Sequence, residues 1–323
     1  VTVPLGGYLR PPVGGQYAPL VEAGEDADAV LFFQTALSLL PTPTGAGGES
    51  SRGQYNNLSP ATRGYIDSLT SKAVALTHNG RTIVLVKNDT VAMLDELVLA
   101  VAAQVKNRTG VDLAPGNAAG NGLIAGGTHT HSGPGALANH SVRYFWAATD
   151  IYQSDVFDVL VNSLSDVVVS ALNKRVPARF GFASGLATEG SQNTNSFRRS
   201  RSPYTATRVA QQNELRRLLG VFRVDEVRAD GTAKRPLAVV TNYSAHGIVF
   251  DVENLFFSGD CLAGMERAIE AQFNTPVVAL QFQGAGGDLS PRADGGPKRQ
   301  RIERFGAFLA PQVMGLWQSA AAI

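Results

Sequence analysis

The chain has 323 residues, of which 44% are hydrophobic and 17% charged; against roughly 45–50% and 25% in ordinary globular domains, this is a folding chain short of charge, and disordered or collagen-like polymers are excluded. With 28 basic and 27 acidic side chains the formal net charge is +1, so the whole-chain field offers no attraction to a phosphate backbone and nucleic acid is not an expected partner. The single cysteine cannot close an intrachain disulfide, and no apolar run approaches the roughly 18–20 residues of a spanning helix.

The chain starts at Val1, and no charged stretch followed by an apolar one opens it. The expectation is that any signal peptide has been removed and that the protein is secreted or periplasmic. Turn formers crowd the first sixty residues, and only Val30 to Leu40 is a sustained apolar run, read as a strand or a short helix. Thr82 to Asn88 is β-branched and apolar and reads as a buried strand, with Asp89 at its end facing a cleft. From Thr90, apolar residues at Val91, Leu94, Leu97, Val98, Val101 and Val105 recur at helical spacing, predicting an amphipathic helix to about Thr109. A second strand is expected over Leu123 to Thr130, a helix over Ser154 to Lys174 and a strand over Arg179 to Ala183. Thr188 to Gln212 is a polar segment too long for an ordinary connection. Beyond it the pattern predicts strands over Gly220 to Val227 and Pro236 to Tyr243, a helix over Leu262 to Phe273, a strand over Val277 to Phe282 and a helix over Arg299 to Trp317. This alternation predicts a layered α/β fold, with its site just past the strand ends.

Three segments carry chemistry. In Thr128-His129-Thr130-His131-Ser132-Gly133-Pro134-Gly135, two of the chain's five histidines stand two residues apart. On a strand both rings would share one face, with Cα atoms about 6.5 Å apart, so either could bind a metal; the alternative is that they only cap a turn. In Asn242-Tyr243-Ser244-Ala245-His246-Gly247 a histidine ends a predicted strand, and it becomes a metal ligand only if it meets His129. Asp260, in Phe257-Ser258-Gly259-Asp260, is expected to cap the following helix, which accounts for it structurally. Gln283-Gly284-Ala285-Gly286-Gly287-Asp288-Leu289-Ser290-Pro291-Arg292 could bring backbone amides to an anion or form a plain turn, with Ser290 as its hydroxyl. Cys261 reads as a small residue at a helix start, not as a nucleophile.

Taken together and in this order, THTHSGPG, NYSAHG with the later SGD, and GGDLSP resemble the neutral ceramidase family of zinc-dependent amidases, over about Ile83 to Trp317. The resemblance implies an α/β layered sandwich of mixed β-sheets flanked by helices, and Zn²⁺ held by His129 and His246, with His131 at the reacting amide or its oxyanion. Ser290 falls where the family has its proposed nucleophile. Asp288 of the same motif is a further catalytic candidate, with Gly286, Gly287 and Asp260 as substrate or loop support. The family's active-site arginine falls on Arg201, with Arg199 as the alternative, although Arg198-Arg199 is an insertion and the family's asparagine is missing. Arg292 also replaces an asparagine. The glutamate and tyrosine that complete the family's zinc site lie well downstream of the serine motif, whereas Ile323 comes about thirty residues after Ser290. The expectation is a single catalytic domain over residues 1–323 that lacks its C-terminal portion and the family's sandwich domain, with a second polypeptide as the other source of the remaining ligands. The implied reaction is hydrolysis of an N-acyl amide, with a ceramide-like lipid as substrate and peripheral membrane contact by apolar residues. Alternatives are a soluble amide, peptide or ester as substrate, or a non-catalytic metal-binding subunit.

Overall fold

The structure, a computed structural model, describes residues 64–135, 137, 153–188, 195–197, 217–250, 254, 256–287, 289–291 and 297–322. The Val30 to Leu40 run and most of the Thr188 to Gln212 segment lie outside these residues.

Strand β1 (Ser71–His78) and strand β2 (Arg81–Asn88) form an antiparallel hairpin whose loop is Asn79-Gly80. Both loop residues have positive φ, 47° and 77°, as the tight turns that match strand twist require. Helix α1 (Asp95–Thr109) buries Leu97, Val101, Ala102 and Val105, and Gly110 closes it in the left-handed conformation. Strand β3 (Gly122–Gly127) then returns parallel to β2. Helix α2 (Ser154–Asn173) buries Val156, Leu160, Val161, Leu164, Val168 and Leu172. These stripes pack with α1 on Val84 and Val86 of β2, forming one hydrophobic core.

The second sheet is built from strand β4 (Ala178–Leu186), strand β6 (Leu218–Val227), strand β7 (Ala233–Tyr243), strand β8 (Val278–Gln283) and strand β10 (Ala321–Ala322), in the order β10-β4-β6-β7-β8. Only β7 and β8 are parallel; helix α3 (Asp260–Glu270) makes the crossover between them. Helix α4 (Lys298–Ser319) packs beside α3, and the two cover Leu219, Val221, Val239 and Ala279 in a second core. A short pair, strand β5 (Asn195–Phe197) with strand β9 (Leu289–Pro291), completes the described architecture. The layering of helices on sheets is what the alternating pattern predicted, and the mixed sheets are what the family resemblance implied.

The two sheets meet at β8. A Cβ on Gly126 of β3 would lie 2.8 Å from the Phe282 ring, so only glycine lets that strand approach so closely. The carboxyl ends of β3, β7 and β8 therefore lie near one another, the place where parallel strands present a site.

Two sequence expectations are corrected. Strand β3 ends at Gly127, so His129 and His131 do not lie on a strand. Asp260 is the first residue of α3 rather than its cap, a position that Gly259 occupies without a side-chain bond.

Candidate metal centre

Past Gly127 the chain is laid along residues 88–91. The N–H of Thr128 donates to the Asn88 carbonyl at 2.9 Å and that of His129 to Thr90 at 3.0 Å. His129 has φ 62°, a left-handed conformation that costs a residue with a Cβ about 1–2 kcal/mol. Thr130 then pairs in parallel with Gly247, and the His131 N–H donates to the Gly247 carbonyl at 2.9 Å. A Cβ on Gly247 would stand 2.7 Å from the His129 oxygen, so glycine is required for this approach. The kink and the crossing bring together three rings from two separate segments.

The Nε2 atoms of His129, His131 and His246 form a triangle. His129 to His246 is 3.1 Å, His129 to His131 is 3.4 Å and His131 to His246 is 2.9 Å. The ring centroids are farther apart, 4.4 to 4.9 Å, so the rings splay outward from converging nitrogens. Tetrahedral coordination at Zn–N distances of about 2.0–2.1 Å places ligand nitrogens about 3.3 Å apart, close to the edges of this triangle. His129 Nδ1 lies 2.7 Å from the Val91 carbonyl and His246 Nδ1 lies 3.0 Å from the Gly286 carbonyl. A carbonyl only accepts, so both Nδ1 atoms donate, and in the neutral rings both Nε2 atoms are left as lone pairs facing each other. Such lone pairs repel unless a cation lies between them, and backbone carbonyls of this kind commonly orient metal-binding histidines. The donor set thus fits a metal ion. His131 and His246 are nearly buried, at 8% and 6% exposure, and His129 is half-buried.

His131, expected at the oxyanion, lies in the donor triangle, so these residues provide three nitrogens where the motif resemblance implied two. Gly286 acts through its carbonyl. The glycine-rich segment forms a turn whose Gly286 N–H donates to Gly284 and whose Leu289 N–H donates to Gly286. The Leu289 carbonyl in turn accepts the His246 N–H at 2.9 Å, which brings β9 and the backbone of Ser290 next to the histidines. Gly287 is exposed beside them. Asp288, Arg199 and Arg201 lie outside the described residues; Phe197, just before the arginines, pairs with Leu289.

Two buried aspartates support the two histidine segments. Asp89 lines a pocket at the strand end, but its carboxylate is fully buried: its Oδ1 accepts from Thr128 Oγ1 at 3.1 Å and from Lys87 Nζ at 2.9 Å, and its Oδ2 accepts from Thr70 N and Oγ1 at 2.7 and 2.9 Å. Lys87, fully buried, also pairs with Glu266 at 2.8 Å, and Lys72 bridges Glu266 and Glu270. Burial alone would raise the Asp89 carboxyl, but the Lys87 ammonium and the hydrogen bonds to it hold it below the usual range. Burial dominates for Glu266, whose carboxyl is raised. Asp260, with φ 56°, accepts from Val249 N and Phe250 N at 3.1 Å each and from Cys261 N at 2.6 Å, which clamps the turn that follows His246. Burial pushes its carboxyl up to about 6, opposed by these amide hydrogen bonds and by the Cys261 thiol. Burial, followed by the charge of Asp260, raises the Cys261 thiol well above its ordinary value, in keeping with a structural cysteine.

In the sequence Asp89 stood out only as a strand-end residue and Gln283 only as the start of the glycine-rich segment, while Lys87 and Glu266 did not stand out at all. The detectable signal was a lysine and a carboxylate bounding an otherwise apolar strand, Lys87-Asn88-Asp89, which implies a buried pair.

Comparison with known proteins places these features in a family. The solved neutral ceramidase of Pseudomonas aeruginosa matches with a TM-score of 0.60 and 20% identity, over 76% of this chain and 38% of that one. A structure described as ceramidase complexed with C2 matches with a TM-score of 0.61 and 20% identity, over 76% and 37%. Neutral ceramidase B of Dictyostelium discoideum is 24% identical over 224 residues, 67% of this chain and 30% of that protein. The chain therefore spans about a third of the length of these relatives. Residues 43–303 match the family described as neutral/alkaline non-lysosomal ceramidase, N-terminal, and the chain belongs to that family.

Proposed function

We propose that the chain carries the metal centre of a zinc-dependent amidohydrolase that cleaves an N-acyl amide, with ceramide-like lipids as the substrate class. The observation that carries this reading is the triangle of three Nε2 atoms, 2.9 to 3.4 Å on a side, in a chain whose family is named for ceramide hydrolysis. Three protein nitrogens with a further position open is the usual form of a catalytic zinc site. Bound there, zinc would polarise the amide carbonyl and lower the pKa of the attacking group.

The chain's own residues prepare that chemistry. The Val91 and Gly286 carbonyls hold the protons of His129 and His246 on Nδ1 and keep their Nε2 atoms available. His129 is less buried than the other two histidines, and a substrate would approach the triangle from its side. Ser290 is carried on β9, directly after the residue that accepts the His246 N–H, and attack by Ser290 or by water are the two routes to the same products. Arg199 or Arg201 would add an oxyanion donor. No described helix is long and apolar enough to cross a membrane; lipid would then be met by peripheral apolar contact. Further zinc ligands would come from more of this polypeptide or from a second one.

The test is release of fatty acid from a short-chain ceramide by the full chain, with and without chelator. The reading expects chelator-sensitive hydrolysis restored by Zn²⁺; zinc-loaded protein without amidase activity would overturn it. A burst of released amine that disappears in Ser290→Ala would assign the serine as nucleophile, and a fully active Ser290→Ala would assign water.

A further inference from the structure

The two peptide units that enter His129 and His246 share one side chain. Gln283, the last residue of β8, donates through Nε2 to the Thr128 carbonyl at 3.3 Å and to the Ala245 carbonyl, while its Oε1 accepts the Ala245 N–H at 3.0 Å. Thr128 and Ala245 immediately precede the two histidines. Each of these peptides is also held on its opposite side, the His129 N–H by the Thr90 carbonyl and the His246 N–H by the Leu289 carbonyl. A peptide plane gripped at both its C=O and its N–H cannot rotate, and that rotation sets the direction in which the next Cα–Cβ bond leaves the chain.

We infer that Gln283 is a positioning residue for the metal centre, a single carboxamide that fixes the angle between the first and second histidine segments. This rests on the metal-centre reading above. The geometry needs a donor and an acceptor on one planar group. Glutamate would set an acceptor against two carbonyls, and asparagine is a methylene too short. The glycine-rich turn closes over the same amide: a Cβ on Gly286 would stand 3.1 Å from Gln283 Oε1. Gln283 is itself only half-buried, so its replacement need not disrupt a core.

The test uses the full chain with Gln283→Glu and Gln283→Ala, measuring Zn²⁺ affinity by chelator competition, the visible spectrum of the Co²⁺-substituted protein and the Tm of the metal-free protein. The expectation is a loss of about 10–100-fold in zinc affinity, the range usual for groups that orient metal ligands, with an altered Co²⁺ spectrum at nearly unchanged metal-free Tm. Zinc affinity within twofold of wild type with an unchanged Co²⁺ spectrum would overturn the inference, as would a lowered metal-free Tm at unchanged affinity. If Gln283→Ala does not fold, the isosteric Gln283→Glu decides by the same readouts. The wild-type control separates the two readings: a wild type that binds no zinc removes the metal centre itself, whereas a zinc-binding wild type with unaffected Gln283 variants removes only the role of Gln283.

Discussion

Two aspartates, both fully buried, flank the histidine triangle, and their carboxyl groups are shifted in opposite directions. Asp89, under the His129 segment, faces a buried ammonium and is held below the usual carboxylate range. Asp260, under the His246 segment, accepts from three backbone amides, has no ion-pair partner among the described residues, and rises to about 6. Equal burial therefore gives two different supports: an ion cluster that must be complete, and a carboxylate bonded only by neutral donors. Burial prevails at Asp260, whereas at Asp89 the ammonium and the hydrogen bonds together outweigh it.

The largest effect should come from breaking the cluster. Lys87→Met leaves Asp89 and Glu266 in the core without their shared cation, and unfolding in urea should show a loss of about 3–5 kcal/mol. A loss below about 1 kcal/mol would mean that the cluster is not the support described here. Next is a contrast in pH dependence. The raised carboxyl of Asp260 contributes stability that is present below the unfolded value near 3.8 and is lost as pH rises through about 6, an amount of about 3 kcal/mol by linkage. The lowered carboxyl of Asp89 acts with the opposite sign: its contribution is present above the unfolded value and is lost as pH falls through the lower folded one. Asp260→Asn should flatten the stability profile between about pH 4 and 6, whatever its absolute stability; an unchanged slope would contradict the assignment.

A smaller effect is expected at the turn beneath His246. A Cβ on Gly284 would collide with Ser244 Oγ, so Gly284→Ala should cost about 1–3 kcal/mol, read from its denaturation midpoint. The smallest is expected far from the site. Arg108→Ala removes a partner of Asp166 from an exposed pair at 2.7 Å, and thermal melts should show a change of no more than about 1 kcal/mol.

Much of this fold was legible because periodicity reports burial. The apolar run at β2 and the helix α2 lie where the pattern put them, and α1 ends at Thr109 as expected but starts at Asp95 rather than Thr90. Strand β1 was not recognised: its inward positions include Ala73 and Ala75, too small for a strong signal, although Asn79-Gly80 marked the hairpin turn. The histidines were legible as residue types but not in their geometry. Two-residue periodicity suggested a strand, whereas the close approach of the Gly247 backbone and the left-handed His129 determine where the rings go. Convergence of three nitrogens depends on contacts between segments more than a hundred residues apart, and local spacing carries no record of these. The roles of Asp89 and Gln283 were hidden for the same reason, since each acts through a partner distant in sequence.

The central claim is that His129, His131 and His246 together hold one metal ion. X-ray absorption at the zinc edge of the metal-loaded full chain tests it most directly, with the three single His→Ala variants alongside. The account predicts one bound zinc with three imidazole nitrogens at about 2.0–2.1 Å, and two in each variant. A wild-type spectrum with two or fewer imidazoles, or a His131→Ala spectrum identical to wild type, would contradict it.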